Sequence, residues 1–501
     1  MTVAVESMAQ AERLWREWLD WAAGQGLDVP PTRDPAFEET RARVWEASDF
    51  VATTVARYPE TFAQLLASGD LDRPYAPGEM GQGLAAALAD LSLAAADDGG
   101  LQHRLRLFRR REMLRLIWRD LGGAAALEET LEDLSELADV CVNQALDWTQ
   151  AWTRAELGTP RNAQGEAQGL LVIGMGKLGA RELNMSSDID LILAYPEAGQ
   201  VDGPRPLTNE QFFIRLGQRL VRALDAPTVD GFVFRVDTRL RPFGDAGPLA
   251  MSFTAMEYYY QDQAREWERY AMVKARVVAG PRDQAEQLAA LLRPFVYRRY
   301  LDFGAIESIR DMKAMIAKEL QRKGMADNVK LGPGGIREIE FIGQTFQLVR
   351  GGRDPQLQIR PIRAVLRLLG ERGLLPADAV QQLDAAYVFL RRVENRLQAW
   401  KDQQTYRLPE DDPGRGRLAR SMGFEDWAGF LATLDEHRRH VQGQFDGLFA
   451  APRAEQAQQE PAFTALWRGR LEAAQAEELL GQAGFADPSA ARLSLESFRE
   501  Q

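Results

Sequence analysis

A single cysteine, Cys141, in 501 residues leaves no intramolecular disulfide to form, which fits a reducing cytoplasm. It reads as a small buried apolar residue on a helix. There are three histidines, His103, His437 and His440. The last two lie one helical turn apart in EHRRHVQ, a charged stretch with no cysteine nearby, and read as a solvated helix face. A structural zinc site is excluded on this supply of ligands. Excess positive charge is missing too. A net charge of −12 and a pI near 5.1 argue against generic electrostatic binding to nucleic acid or to an anionic membrane. No apolar run reaches the roughly 18 residues of a membrane span, because Asp90 breaks the alanine-rich stretch 84–97. The opening MTVAVESMAQAERLWREWLDW carries acids early and lacks a basic region before an apolar core, so no signal peptide is expected. What is present is ordinary globular material, 45% hydrophobic and 27% charged, and the length suggests about three domains.

Apolar spacing of three and four residues makes 1–158 helical, as in Leu105, Phe108, Met113, Leu116, Ile117 and Leu121. The basic stretch 104–119 reads as an amphipathic helix with its arginines on the wet face, or else as a docking surface for an acidic partner. TPRNAQGEAQG (159–169) reads as a linker. Strand-length runs follow at 170–173, 188–195 and 231–238, with a helical pattern at 212–224, and 159–283 becomes an α/β domain. The helical period returns over 284–450 as a bundle with turns at 331–335, 350–355 and 410–416. Residues 451–501 read as a linker and the start of a further helical region, so the chain is expected to be the front part of something longer. No fixed-period repeat is evident.

The chemistry concentrates at GLLVIGMGKLGARELNMSSDIDLILAY. Asp188 and Asp190 are two apart at the head of an apolar strand, so both point to one face, about 7 Å apart at their Cα atoms. Their repulsion is roughly 2–3 kcal/mol at an effective dielectric of about 20. A divalent cation would turn that cost into coordination. Asp237, on the strand 231–238, supplies a third carboxylate, and three can hold two Mg²⁺ ions for an in-line displacement. Gly174, Gly176 and Gly179 form a GxGxxG turn able to hold phosphate on backbone N–H groups. The dinucleotide-binding reading of that motif is weaker, since only two helical turns fit before Asp188 and two acids open the second strand. A Walker A loop fails, because Leu178 follows Lys177. Asn184, Ser186 and Ser187 either hydrogen-bond a phosphate oxygen or form a polar turn. Arg239, Arg241, Lys274 and Arg276 either neutralise phosphate or make ordinary salt bridges. Gly334 and Gly335 precede a helix bearing Arg337, Glu338 and Glu340, as a second anion-holding helix start or a tight turn. The stretch EYYYQDQAREWERY (257–270) is expected to pack mostly inward. Together these residues suggest metal-dependent nucleotidyl or phosphoryl transfer.

Four segments, GMGKLGARELNMSSDIDLI, RVDTRLRPFGDAGPLAMSF, WERYAMVKARVVAG and KLGPGGIREIEFIGQTFQLVRGG, occur in an order that resembles the bifunctional glutamine synthetase adenylyltransferase/adenylyl-removing enzymes, from about residue 40 to 450. The resemblance implies a mostly α chain with an inserted α/β, polymerase-beta-like nucleotidyltransferase domain of mixed sheet, followed by a helical bundle. It places the family's glycine turn on Gly174 to Gly179, with Lys177 inside it, its Asp-x-Asp strand on Asp188 and Asp190, and its third Asp on Asp237. Glu182, Leu183 and Asn184 fit the N-terminal of the family's two modules, which implies the adenylyl-removing half. The implied reaction is Mg²⁺-dependent phosphorolysis of AMP from a tyrosine of glutamine synthetase, releasing ADP, in the cytoplasm. Glutamine synthetase is then the protein partner, ATP or ADP and phosphate are the small ligands, and a PII signal protein is a further partner. The alternatives are addition of AMP from ATP, or a non-catalytic module sensing a nucleotide or PII. Only one glycine–DxD constellation occurs in this chain, so efficient addition of AMP is not expected. Ala180 stands where the family often has glycine, at a turn expected to face solvent.

Overall fold

A computed structural model describes residues 2–27, 34–298, 307, 309–312, 314, 325, 327–449, 466, 471–482, 485 and 487–499. The segment 450–461 expected to be a linker lies outside them. Residues Met1–Phe445 form one compact unit and Asp446–Gln501 a second, small one. In the small unit two helices, Ala473–Gln482 and Pro488–Arg499, pack through Leu466, Ala476 and Leu480. The large unit is predominantly helical around a small mixed sheet. The change from helix to strand after Leu157 and the return to helix at Arg282 both fall inside it.

Seven helices lead in: α1 (Thr2–Gly24), α2 (Pro35–Ala47), α3 (Asp49–Arg57), α4 (Pro59–Ser68), α5 (Glu79–Ala87), α6 (Asp98–Gly122) and α7 (Leu127–Leu157). Their starts follow local chemistry. Asp34 caps α2 ahead of Pro35, Ser48 caps α3 and Asp97 caps α6, each accepting a backbone N–H of the first turn. Trp15, Trp18, Trp45, Phe62 and Trp118 interlock in the core, and Cys141 is buried on α7.

Helix α6 corrects the reading of 104–119. Its arginines do not face water: Arg106, Arg109, Arg110, Arg115 and Arg119 are buried. Arg106 donates to the carbonyls of Ala223 at 3.0 Å and Gly231 at 2.9 Å, and to that of Ala226. Arg109 pairs with Asp402 at 2.9 Å, Arg115 with Glu112 and Asp133, and Arg119 with Glu129. A buried cation survives only when paired, and apart from Glu112, one turn away on the same helix, the partners come from other segments that helical spacing cannot reveal.

The sheet contains β2 (Leu171–Gly174), β3 (Ile189–Tyr195), β5 (Val236–Asp237), β6 (Ala250–Ser252) and β7 (Arg276–Ala279), while β1 (Pro160–Arg161) and β4 (Gln200–Val201) form a separate ribbon. The stretch read as a linker at 159–169 thus folds back into structure. Strand order is β5–β3–β2–β7, with β6 beside the far half of β3. β3 runs antiparallel to β2 and parallel to β5 and β6. That antiparallel pairing excludes the dinucleotide fold, whose glycine turn joins parallel strands. Alternation along the strands covers both faces. Val172, Leu191 and Leu193 join the core shared with α7 and α9 (Asn209–Asp225), whose start carries a Thr208–Gln211 capping box. Ile173, Ile192 and Ala194 pack beneath α10 (Phe253–Asp262), α11 (Glu266–Met272) and α12 (Arg282–Val296). In that layer Tyr259 and Tyr260 are buried, whereas Tyr258 is exposed. The described part of the helical region comprises α13 (Ile336–Arg350), α14 (Ile362–Glu371), α15 (Ala377–Ala399), α16 (Asp412–Ser421) and α17 (Trp427–Phe449). On α17, His437 is half-buried against the Phe389 ring at 4.8 Å rather than fully solvated.

Candidate active site

Strand pairing brings two of the acids side by side. Asp190 on β3 stands opposite Asp237 on β5, one position on from Ile189 opposite Val236, and facing residues of neighbouring strands are about 4.8 Å apart on the same side. Asp188 lies just before β3, held by the Ile189 N–H bond to the Arg235 carbonyl at 2.9 Å. Two of the three carboxylates have arginine partners. Asp188 accepts from Arg235 Nε at 2.5 Å and from Gln404 Nε2 at 2.9 Å. Asp237 accepts from the Arg239 backbone N–H at 2.8 Å and from its Nε at 2.9 Å, bonds that hold this carboxyl below the usual range against the effect of burial. Asp190 has no hydrogen-bonded cation among the described residues. Burial, then the charges of Asp237 and Asp188, lift its carboxyl to about 6, with Lys330 pulling the other way. Among the described residues no three acids, histidines or cysteines are gathered as a ready metal cage. The arrangement is one uncompensated carboxylate flanked by two ion pairs.

The glycine turn crosses the acids as a single helical turn, α8 (Gly176–Gly179). Gly176 has φ +52, and a Cβ there would sit 3.5 Å from Asp190 Oδ2. The bare backbone therefore lies against the uncompensated carboxylate. Gly179 has a different reason: a Cβ would lie 1.9 Å from the Lys274 carbonyl oxygen, so the approach to β7 requires glycine. Gly174 packs against Val278 and Leu178. Ala180 is buried, not solvent-facing. Arg181 adopts φ +57, fastened by Glu132, Glu136 and Asp139.

Several predicted phosphate ligands are committed elsewhere. Lys177 turns inward to Asn184 Oδ1 and Glu394 Oε1, each at 2.6 Å. Lys274 is buried between Glu182 at 3.1 Å and Glu340 at 2.6 Å. Arg276 pairs with Asp139 and donates to the Leu178 carbonyl. Binding phosphate would oblige these cations to leave buried carboxylates unpaired, a loss of several kcal/mol. Arg241 ties the 238–247 turn through the Thr238 carbonyl at 2.8 Å. Ser186 is buried, its N–H on Gln398 and its carbonyl on Arg235. Ser187 stays partly exposed beside Asp188. Arg239, bound to Asp237, keeps 73% of its side chain exposed, which leaves it the most available of the predicted cations. Gly334 and Gly335 resolve as a tight turn: Glu338 accepts the Gly334 N–H, and a Cβ on Gly334 would meet the Arg438 backbone at 2.3 Å.

Sequence reasoning missed Arg235, Gln404, Lys330 and Tyr406. For Arg235 a signal existed, since in a strand it shares a face with Asp237. For Gln404 and Tyr406, in an irregular loop after α15, there was none.

The family model described as glutamate-ammonia ligase adenylyltransferase matches residues 39–291, and that described as GlnD PII-uridylyltransferase matches 310–449. Proteins named bifunctional glutamine synthetase adenylyltransferase/adenylyl-removing enzyme are similar throughout. The one from Thioalkalivibrio sulfidiphilus is 53% identical over 93% of this chain and 48% of its own length. That from Nitrosococcus oceani is 54% identical over 92% of the chain and 48% of its own length, and that from Pseudomonas aeruginosa 49% over 96% and 49%. The chain therefore spans about half the length of these curated relatives.

Proposed function

The chain belongs to the glutamate–ammonia ligase adenylyltransferase family, and from that premise we propose that it removes AMP from the adenylylated tyrosine of glutamine synthetase by phosphorolysis, releasing ADP. The observation that carries this reading is the pairing of Asp190 with Asp237 across β3 and β5, with Asp188 adjacent and the bare turn at Gly176 against Asp190. In this reading the sheet is a polymerase-beta-like nucleotidyltransferase core. The Glu182–Leu183–Asn184 signature, which resembles the family's N-terminal module, supports the adenylyl-removing direction.

The donor set fits Mg²⁺, which favours hard carboxylate oxygen: Asp190 is uncompensated, and Asp188 and Asp237 would exchange Arg235 and Arg239 for the cation. When bound, the ion polarises the phosphorus and stabilises the departing oxygen. Phosphate oxygen attacks the α-phosphorus of the tyrosyl-AMP diester in line. The bond from phosphorus to the tyrosine oxygen breaks, its electron pair stays on that oxygen, and a proton restores the tyrosine while ADP leaves. Arg239, at the rim, neutralises charge on the phosphate oxygens once Asp237 is engaged. The match of 310–449 to PII-uridylyltransferase supports a PII protein as a partner of the helical region.

Mixing the chain with adenylylated glutamine synthetase, Mg²⁺ and phosphate should release ADP in proportion to AMP removed. No phosphate-dependent ADP refutes the reading. Mass spectrometry showing AMP added to unmodified glutamine synthetase from ATP, without phosphate, would assign the opposite direction.

A further inference from the structure

Three lysines meet where the helical region closes on the glycine turn, and two of them are spent. Lys177 is neutralised by Glu394, and Lys274 by Glu182 and Glu340. Lys330, partly buried on the segment leading to α13, forms no ion pair among the described residues. Its Nζ lies 4.6 Å from the centre of the Tyr406 ring and 3.4 Å from the Tyr406 hydroxyl, a cation–π contact rather than a charge pair.

The ammonium is held in place. The Tyr406 carbonyl accepts the Val329 N–H at 2.9 Å, the Asp327 carbonyl accepts the Leu408 N–H at 3.0 Å, and Asn328 bridges to Arg407. The Lys330 N–H is itself fixed on Asn328 Oδ1 at 3.0 Å. These two segments brace each other, and Tyr406 aims the lysine stem. Gln404, two residues before Tyr406, donates to Asp188 Oδ2 at 2.9 Å, and Lys177 of the glycine turn lies 5.7 Å from the centre of the same Tyr406 ring, so Lys330 stands at the catalytic edge rather than on a remote surface. Against burial, Tyr406, Glu394 and Glu340 together favour the charged form of Lys330, the two carboxylates being bonded directly to Lys177 and Lys274. Tyr406 engages one of the three ammonium N–H donors, which leaves donors for an arriving anion. The reaction proposed above brings such an anion to this edge.

We propose that Lys330 binds the oxyanion of inorganic phosphate, and the same oxygens in product ADP, beside Asp190, so that the helical region completes a substrate pocket which the glycine turn and Arg239 only begin. This rests on the phosphorolysis reading.

The test compares wild type, Lys330→Met, Lys330→Gln and Lys330→Arg, each checked for fold by circular dichroism and melting temperature. Lys330→Met should raise the KM for inorganic phosphate at least tenfold, leave the KM for adenylylated glutamine synthetase within twofold, and melt like wild type. Lys330→Arg should recover most of the phosphate KM. Should the methionine variant lose its fold, Lys330→Gln, which keeps the stem and a donor toward Tyr406, gives the same reading. An unchanged phosphate KM in a folded Lys330→Met or Lys330→Gln protein, with wild type active, overturns this inference and leaves the phosphorolysis reading standing. Absence of ADP release by wild type overturns that reading instead. In that case calorimetric binding of inorganic phosphate to the wild-type chain, lost in Lys330→Met, still supports the oxyanion site, and equal binding or none by both overturns it.

Discussion

Lys274→Met removes an ammonium lying 3.1 Å from Glu182 and 2.6 Å from Glu340 while keeping most of the side-chain volume. Glu182 retains a partner, because its Oε1 accepts the Ile362 N–H at 2.7 Å. Glu340 loses its direct ion-pair partner among the described residues. Removing one member of a buried ion pair costs about 3–5 kcal/mol, since the other charge stays behind. Unfolding entropy of about 2.1 cal/mol/K per residue over the 445-residue unit amounts to about 0.9 kcal/mol/K. The melting temperature should therefore fall by about 3–5 °C, followed by far-ultraviolet circular dichroism, with the phosphate KM essentially unchanged. Lys274→Met/Glu340→Gln removes the stranded charge and should recover at least half of the loss. A melting temperature within 1 °C of wild type, combined with a phosphate KM raised about tenfold, would refute the internal-tie assignment and restore Lys274 to the substrate site.

Asp190→Asn should slow phosphate-dependent ADP release at least about 10²-fold without lowering the melting temperature, because the wild-type carboxylate is itself uncompensated; a rate within tenfold of wild type would show that another group anchors the chemistry. Burial opposes ionisation of Glu340, but Lys274 together with Lys177 and Arg391 outweighs it and draws the carboxyl from 4.5 to about 2. Its contribution, about 3 kcal/mol, is complete above pH 4.5 and is lost as the pH falls from 4.5 toward 2; Glu340→Gln should flatten that acid limb in urea titrations run at successive pH values. Gly179→Ala places a methyl 1.9 Å from the Lys274 oxygen and 2.6 Å from that of Gly174, both backbone, so it should melt lower than Lys274→Met or fail to accumulate in soluble form, and a wild-type melting curve would contradict the close approach.

The strands expected at 170–173 and 188–195 fall at Leu171–Gly174 and Ile189–Tyr195, because a strand covered on both faces is a continuous apolar run that the sequence displays directly. The helix expected at 212–224 occupies Asn209–Asp225, beginning at the Thr208 cap. By contrast, the run at 231–238 shortens to Val236–Asp237: Gly231 turns at φ +94, and the Val233 and Phe234 N–H groups bond the Leu224 carbonyl instead of a strand. Period-two spacing relates Asp188 to Asp190 within one strand, whereas Asp237 joins them through the pairing of β3 with β5. Spacing says nothing of partners across the fold. Lys177 meets Glu394 217 positions away, and Arg109 meets Asp402 293 positions away. Cations that look alike in sequence, such as Lys274 and Arg239, therefore differ in three dimensions by whether a distant carboxylate has already claimed them.

The same long-range pairing explains why the acids cannot be understood as a property of the sheet alone. Asp188 is gripped by Arg235 from the strand segment and by Gln404 from the loop after α15. That loop is pinned two residues earlier, where Asp402 takes φ +49 and receives Arg109 from α6. A residue outside glycine in the left-handed region persists only where its surroundings fix it, and the Arg109 pair is the fixing element. Gln398, at the end of α15, holds Asn184 and the Ser186 N–H beneath the same turn. The leading helices, the sheet and the helical region each contribute a contact that sets the direction of one carboxylate. A cation at Asp188 would thus exchange a contact from the sheet and one from the helical region, and Arg109 of the leading helices braces the loop that carries the second, which would tie occupancy of the edge to the packing of the helices around it.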